Sequence, residues 1–154
     1  MTKTVFPRFR EQKGGHIIQG TSIGGRIGSL GRARCAAAKS RVEGRSESLS
    51  KEIGSLGIKV TIIEPGGFRT DFASSSSEFR KSRPEYQSTV GATVGFQPDY
   101  NGKQPGDPHE GVEALLHLVS LTEPPLWLLL ASDSYVAAEK SALEKLEFGQ
   151  QWTI

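Results

Sequence analysis

The sequence predicts an α/β fold built on a short, mainly parallel sheet, and three observations carry that expectation. Helical and strand-like patterns alternate along the chain, in the order helix, strand, helix, strand, irregular segment, helix, strand, helix. The strongest strand, residues 59–63, is apolar or β-branched nearly throughout, which suits a strand covered on both faces. The length of 154 residues, with 36% AVILMFWYC and 18 glycines, bounds the chain to a single domain, 1–154, of ordinary globular composition.

Residues 2–13 read as a short helix with Val5, Phe6 and Phe9 on one side and Pro7 near its first turn or at a kink. Gly14-Gly15 ends it, and His16-Ile17-Ile18-Gln19 follows as a short buried strand. A glycine-dense loop (Gly20, Gly24, Gly25, Gly28, Gly31) leads to a long helix over residues 32–54. There Ala38, Val42, Leu49 and Ile53 recur at helical spacing, and Gly54 and Gly57 supply the stop. Strand 59–63 breaks off at Glu64-Pro65-Gly66-Gly67. Residues 73–106, rich in Ser, Gly, Pro and isolated aromatics (Phe79, Tyr86, Phe96, Tyr100), read as an irregular lid with one or two short helices. A segment that long without regular structure is usually functional. Asp107-Pro108 combines an N-cap with proline at the first helical position and opens a helix through Val112, Leu115, Leu116 and Val119. Pro124-Pro125 stops it, and residues 126–130 form a third buried strand. An amphipathic helix over 134–148, with Val136, Leu143 and Leu146 as its apolar positions, closes the fold; Trp127 and Trp152 read as packing residues.

Nineteen Lys/Arg against 17 Asp/Glu leave a net charge of +2, so charge gives no reason to expect nucleic acid or an acidic membrane as partner. The distribution is uneven: residues 1–45 carry a local +8 and residues 46–154 a local −6. Cys35 is the single cysteine, which excludes an intrachain disulfide and a cysteine metal cage. His16, His109 and His117 show no ligand spacing, so no metal is expected. The longest apolar run, residues 126–131, falls short of the roughly 18 residues of a membrane span, and residues 1–7 lack the apolar core of a secretory signal. A soluble, cytoplasmic chain is expected.

Chemistry concentrates at three positions. Ser22 stands at the end of the first strand, Cys35 thirteen residues on, and Lys39 four beyond that; on a helix, positions 35 and 39 share a face. With these go Gly15-His16-Ile17-Ile18, Thr21-Ser22-Ile23-Gly24-Gly25, Ala37-Ala38-Lys39, Val42-Glu43-Gly44, Gly57-Ile58-Lys59-Val60-Thr61 and Pro65-Gly66-Gly67-Phe68-Arg69-Thr70. In that order and spacing, residues 1 to about 131 resemble the C-terminal half of a short-chain dehydrogenase/reductase. The resemblance implies a partial Rossmann-like, three-layer α/β/α fold, the last three strands of a doubly wound sheet. It also implies NAD(P)-dependent hydride transfer to or from a small-molecule carbonyl or alcohol. In the family a tyrosine exchanges the proton with the substrate oxygen, a lysine lowers the tyrosine pKa and binds the nicotinamide ribose, and a serine holds the carbonyl. Ser22 and Lys39 match that pattern, and Cys35 occupies the tyrosine position. Lys39, Pro65, Gly66 and Thr70 are the implied cofactor-binding positions, and residues 73–106 the implied substrate lid.

The departures from the family carry physical consequences. A thiol is intrinsically more acidic than a phenol, so acidity is not the obstacle at position 35. Reach is: the sulfur ends roughly 3–4 Å nearer the backbone than a phenol oxygen, outside the ~2.6–3.2 Å of proton transfer. No two glycines are separated by one residue, so neither GxxxGxG nor GxGxxG occurs, and the family's Asn-Asn-Ala-Gly segment and catalytic asparagine are absent too. At ~30 residues per strand-helix unit, about 90 residues would carry those parts in a complete member. Ser40, Arg41 and Arg45 stand where the family has apolar residues on a helix that packs against a neighbouring subunit, and Arg32 and Arg34 are equally foreign; a solvated helix face accounts for them. The expectation is a truncated, pseudoenzyme-like chain, inactive in isolation, with a homo-oligomer or a complementing N-terminal half as partner.

Two other functions compete. Without strands before it, the strand at 16–19 has an unpaired edge, as a non-catalytic binding or assembly module would use. Gly20-Thr21-Ser22-Ile23-Gly24 also spells the GxSxG of a serine hydrolase, with Asp71 or Asp99 and then His109 or His117 in the right order, yet GGRIGSLG stands where a helix should follow the serine. Simpler roles exist for each residue alone: a structural Ser22, an ordinary helix lysine at 39, a small buried hydrophobe at Cys35, and a helix cap at Thr70.

Overall fold

The structure, a computed structural model, describes residues 2–74 and 81–153. The alternating patterns become α1 (Thr2–Glu11), β1 (Gly15–Gly20), α2 (Ile23–Arg26), α3 (Ala33–Ile53), β2 (Ile58–Pro65), α4 (Ala92–Tyr100), α5 (Pro108–Ser120), β3 (Trp127–Leu130) and α6 (Ser132–Gln151). The strands lie in the order β1-β2-β3 and both pairings are parallel, with Ile17 opposite Val60 and Ile63 opposite Leu128.

The sheet is centred on β2 because its sequence has nothing to offer water. Ile58, Val60 and Ile62 on one face and Thr61 and Ile63 on the other are all buried. Ile17, Ile58 and Val60 join Ile53 of α3 in one cluster, against which Phe6 and Phe9 of α1 and Leu49 of α3 pack. Pro7 sits in mid-helix in α1, not at its first turn. Of the two expected stop glycines, Gly54 keeps helical geometry and Gly57, at φ 71, makes the left-handed turn into β2.

Thr61 is fully buried, and its hydroxyl donates to the Pro125 carbonyl at 2.7 Å. With that proton spent, the 2.9 Å contact with His16 Nε2 makes the imidazole the donor. Burial first, and the Lys59 charge second, hold the His16 pKa below its ordinary value of 6.5. The unfolded chain therefore takes up a proton there before the folded one does. This contribution to stability is complete above about pH 6.5 and declines as the pH falls. We expect the melting temperature of the wild type to drop more steeply between pH 7 and 5.5 than that of His16→Gln; parallel curves would remove His16 as the cause.

The C-terminal helices dock differently from what their apolar spacing suggests. In α6 the buried residues are Ser134, Ala138 and Ser141, while Val136, Leu143 and Leu146 are more than half exposed. Small side chains let the helix approach closely, and the Ser134 hydroxyl donates to the Glu64 carbonyl at 2.8 Å. In α5, Gly111 and Leu118 turn inward, and Val112, Leu116 and Val119 remain exposed. Trp127 and Trp152 are exposed too, so neither is a core residue. The lid is more regular than expected: a 3-10 turn (Pro84–Tyr86), a π-turn (Gln87–Gly91) and α4 follow one another, and Phe79 lies outside the described residues. Among the described residues, no helix is long and apolar enough to cross a membrane.

Candidate functional site

The carboxyl ends of all three strands meet at one cavity of about 670 Å³, bordered by Ser22 after β1, by Pro65, Gly66 and Gly67 at the end of β2, and by Leu130 of β3. This is where open parallel sheets place their ligands. Cys35, Lys39 and Thr70 border the same cavity, so the residues matched to the family pattern arrive at one place.

The turn carrying Ser22 is fixed from several sides. Ser22 caps α2, its Oγ accepting from the Gly24 N–H at 3.1 Å. A hydroxyl that accepts keeps its own O–H as a donor, and among the described residues no acceptor takes it. Thr21 donates to the Ile63 carbonyl at 2.8 Å, and Ser40 of α3 donates to the Gly25 carbonyl. Ser40, foreign to the family pattern, thus anchors the turn. Arg26 binds Glu64 through two hydrogen bonds of 2.8 and 2.9 Å, and Glu64 is wholly shielded from solvent. Glu43 lies against the same turn; burial, and then the Glu64 charge, push its pKa up against the pull of Arg26 and Lys39.

Lys39 reaches back to the end of β1, its Nζ donating to the Gly20 carbonyl at 3.3 Å. Cys35, in the first turn of α3, is exposed, so it is no buried hydrophobe. Of the foreign arginines, Arg34, Arg41 and Arg45 are solvated as expected; Arg32 borders the cavity and stacks over the Phe72 ring at 5.7 Å. Thr70 caps the 3-10 turn Asp71–Ala73, accepting from the Phe72 N–H at 3.4 Å.

The glycines after β2 serve a contact within the protein. Ala131, at φ 75, turns the chain out of β3 so that Asp133 Oδ2 accepts from the Gly67 N–H at 2.8 Å. A Cβ on Gly66 would run into the Asp133 carboxylate, and one on Gly67 into the Tyr100 hydroxyl. Burial, and then the facing Asp133 carboxylate, hold the Tyr100 phenol above its usual pKa. Tyr100 thereby ties α4 of the lid to the strand ends. Arg26, Glu43, Glu64, Tyr100, Gln104 and Asp133 were not singled out in the sequence; a carboxylate closing an otherwise apolar strand was the one available signal, at Glu64.

A nicotinamide dinucleotide needs donors at its ribose end and a cradle for its phosphates. Ser22 and Lys39 suit the first. The second has no counterpart at the described strand ends: the turn after β1 feeds a four-residue helix, and the first turns of α5 and α6 already hold carboxylates. Asp107 accepts from the His109 N–H at 2.8 Å and Asp133 from the Ser134 N–H at 2.9 Å, so a phosphate would meet like charge there. The residues present fit the nicotinamide end of such a group and not its phosphates.

A helix does follow Ser22 directly, contrary to expectation, but it is a single turn. None of Asp71, Asp99, His109 and His117 borders the cavity, and His109 is exposed beside Glu113, so none of the acid and base partners of the hydrolase reading stands with Ser22. Nor do the described residues contain a cluster suited to a metal ion.

Comparison with known proteins agrees with this geometry. A family model described as short chain dehydrogenase matches residues 1–81. Oxidoreductase BOA17 of Botryotinia fuckeliana is 39% identical over 152 residues, covering 99% of this chain and 56% of that protein. Oxidoreductase C162.03 of Schizosaccharomyces pombe is 34% identical over 136 residues, 87% of this chain and 46% of that protein. The crystal structure of a short-chain dehydrogenase from Streptomyces avermitilis superposes with a TM-score of 0.86 at 30% identity, over 98% of this chain and 55% of the other. A short chain dehydrogenase from Burkholderia cenocepacia, solved in complex with NADP, shares the fold with a TM-score of 0.67 at 16% identity, over 100% of this chain and 53% of the other. The chain spans about half the length of the curated relatives it matches. By its matched residues and its parallel α/β architecture, the chain belongs to the short chain dehydrogenase family.

Proposed function

We propose that the chain forms the carbonyl-holding and substrate-facing side of an NAD(P)-dependent oxidoreductase site, and that these 154 residues by themselves neither retain the dinucleotide nor turn over. The observation that carries this reading is the convergence of Ser22, Cys35 and Lys39 on one cavity with Pro65, Gly66 and Thr70. The free O–H of Ser22 and the remaining N–H groups of Lys39 are donors suited to a carbonyl oxygen, and Ile23, Phe68, Val112 and Leu115 supply an apolar surround. The substrate is accordingly a mainly apolar small-molecule carbonyl or alcohol. On this reading Cys35 takes the position of the family's proton-exchanging phenol, and its shorter side chain stops short of the substrate oxygen. The oxidoreductase names of the relatives and the NADP held by the Burkholderia protein support NAD(P) as the family's hydride carrier, and a segment bearing GxxxGxG is the partner this reading requires. An exposed free thiol suits a reducing, cytoplasmic setting.

The test is direct. Titration of the purified chain with NADH and NADPH up to about 1 mM, followed by tryptophan fluorescence and melting temperature, should leave both signals unchanged. Saturable binding in that range would show that the phosphates are held by residues other than the missing glycine turn, and the second half of the proposal would fall.

A further inference from the structure

Gln104 is 97% shielded (3% exposed), yet neither its Nε2 nor its Oε1 has a hydrogen-bond partner among the described residues. Its backbone is not at fault. Arg69 donates to the Gln104 carbonyl at 2.9 Å, and the following residues are laced to the end of β2 by Gly106 N–H to the Gly67 carbonyl at 2.9 Å and Arg69 N–H to the Gly106 carbonyl at 3.0 Å. A pinned backbone thus holds an unpaired carboxamide where folding alone favours an apolar side chain of the same shape. The residue borders the cavity that Tyr100 of the lid, Gly67, Phe68 and, at the start of α5, Gly111 also line. The side-chain torsions of the glutamine are the freedom through which its amide would meet a cavity occupant.

We infer that Gln104 is a substrate-selecting residue: it binds a neutral group, hydroxyl or carboxamide, carried by the apolar carbonyl or alcohol substrate away from its reacting oxygen. The inference rests on the proposed function of the same cavity. The chemistry follows from what the side chain lacks. A carboxamide offers two N–H donors and one acceptor oxygen, so its complement must both accept and donate. A ketone or a carboxylate does only the first, and a hydroxyl or an amide does both. Sites built around such groups discriminate strongly against analogues that leave them unpaired.

The experiment uses the full 154-residue chain with 2-octanone, 8-hydroxy-2-octanone and nicotinamide as probes, in the wild type and in Gln104→Met, read by side-chain amide NMR and by melting temperature. The hydroxyketone should shift the Gln104 amide resonances and bind about tenfold more weakly to Gln104→Met, with 2-octanone binding both proteins alike. Gln104→Met should itself melt about 2–4 °C higher, because an unpaired polar group has been removed. A variant that melts lower or fails to fold would show that the amide has an internal partner, and the inference would be overturned. It would be overturned equally if the hydroxyketone bound both proteins alike, with the cavity's role intact, or if nicotinamide alone moved the Gln104 resonances, which would assign the residue to a cofactor ring. Binding of no probe at all would remove the carbonyl-holding role along with it.

Discussion

Joined to the nucleotide-binding half of a full-length relative, the chain should reduce a simple ketone with NADPH about 10²–10⁴-fold faster after Cys35→Tyr than with its own cysteine. That range is what a positioned proton donor contributes, and the argument is one of length. Position 35 borders the cavity from the first turn of α3, four residues before Lys39, so a tyrosine there projects its hydroxyl into the space that Ser22 and Lys39 already share. On the proposed reading the sulfur, roughly 3–4 Å shorter, would leave the substrate oxygen without a partner at transfer distance. Initial rates of NADPH consumption decide the matter. In the 154-residue chain alone, Cys35→Tyr should produce no turnover, because on the proposed reading the phosphates would still lack a cradle. Equal rates for the two fused proteins would mean that position 35 does not move the proton.

Arg26→Met should destabilise the chain by about 3–5 kcal/mol, the cost of stranding a buried carboxylate. Glu64 has no exposed surface, and its two oxygens are both taken by Arg26, which also lies over the Trp127 ring at 5.9 Å. Without the guanidinium, Glu64 still faces the like charge of Glu43, whose own pKa burial already raises. Urea unfolding gives the number. The double variant Arg26→Met/Glu64→Leu should recover most of the loss, since an apolar pair of similar volume commonly matches or exceeds a buried ion pair. A single variant within 1 kcal/mol of wild type would show that the Glu64 carboxylate reaches water once the guanidinium is gone.

The parts of this structure that were legible in the sequence are those decided locally. An unbroken β-branched run could only be β2, and Asp107-Pro108 could hardly be anything but the start of α5, where the side chain does cap the helix. Ser22, Cys35 and Lys39, grouped in the sequence by their spacing and the family resemblance, border one cavity. The parts that were not legible depend on partners distant in the chain. Strand 59–63 is two residues too short at its end because a glutamate looks like a terminator until Arg26, 38 residues earlier, neutralises it. The face of α6 was misread because apolar periodicity says nothing when a helix docks through Ser134, Ala138 and Ser141. The glycines hid a one-turn helix after Ser22, whose hydroxyl starts it. Gln104 carries no periodic or motif signal; its lack of a partner is visible in three dimensions alone.

Because the cavity takes one wall from the end of each strand, it exists only while both strand pairings stay docked. Anything seated there braces the whole sheet rather than a single loop. For this molecule, then, resistance to unfolding is itself a gauge of occupancy, and a compound that slows its proteolysis has announced itself as a tenant of the site.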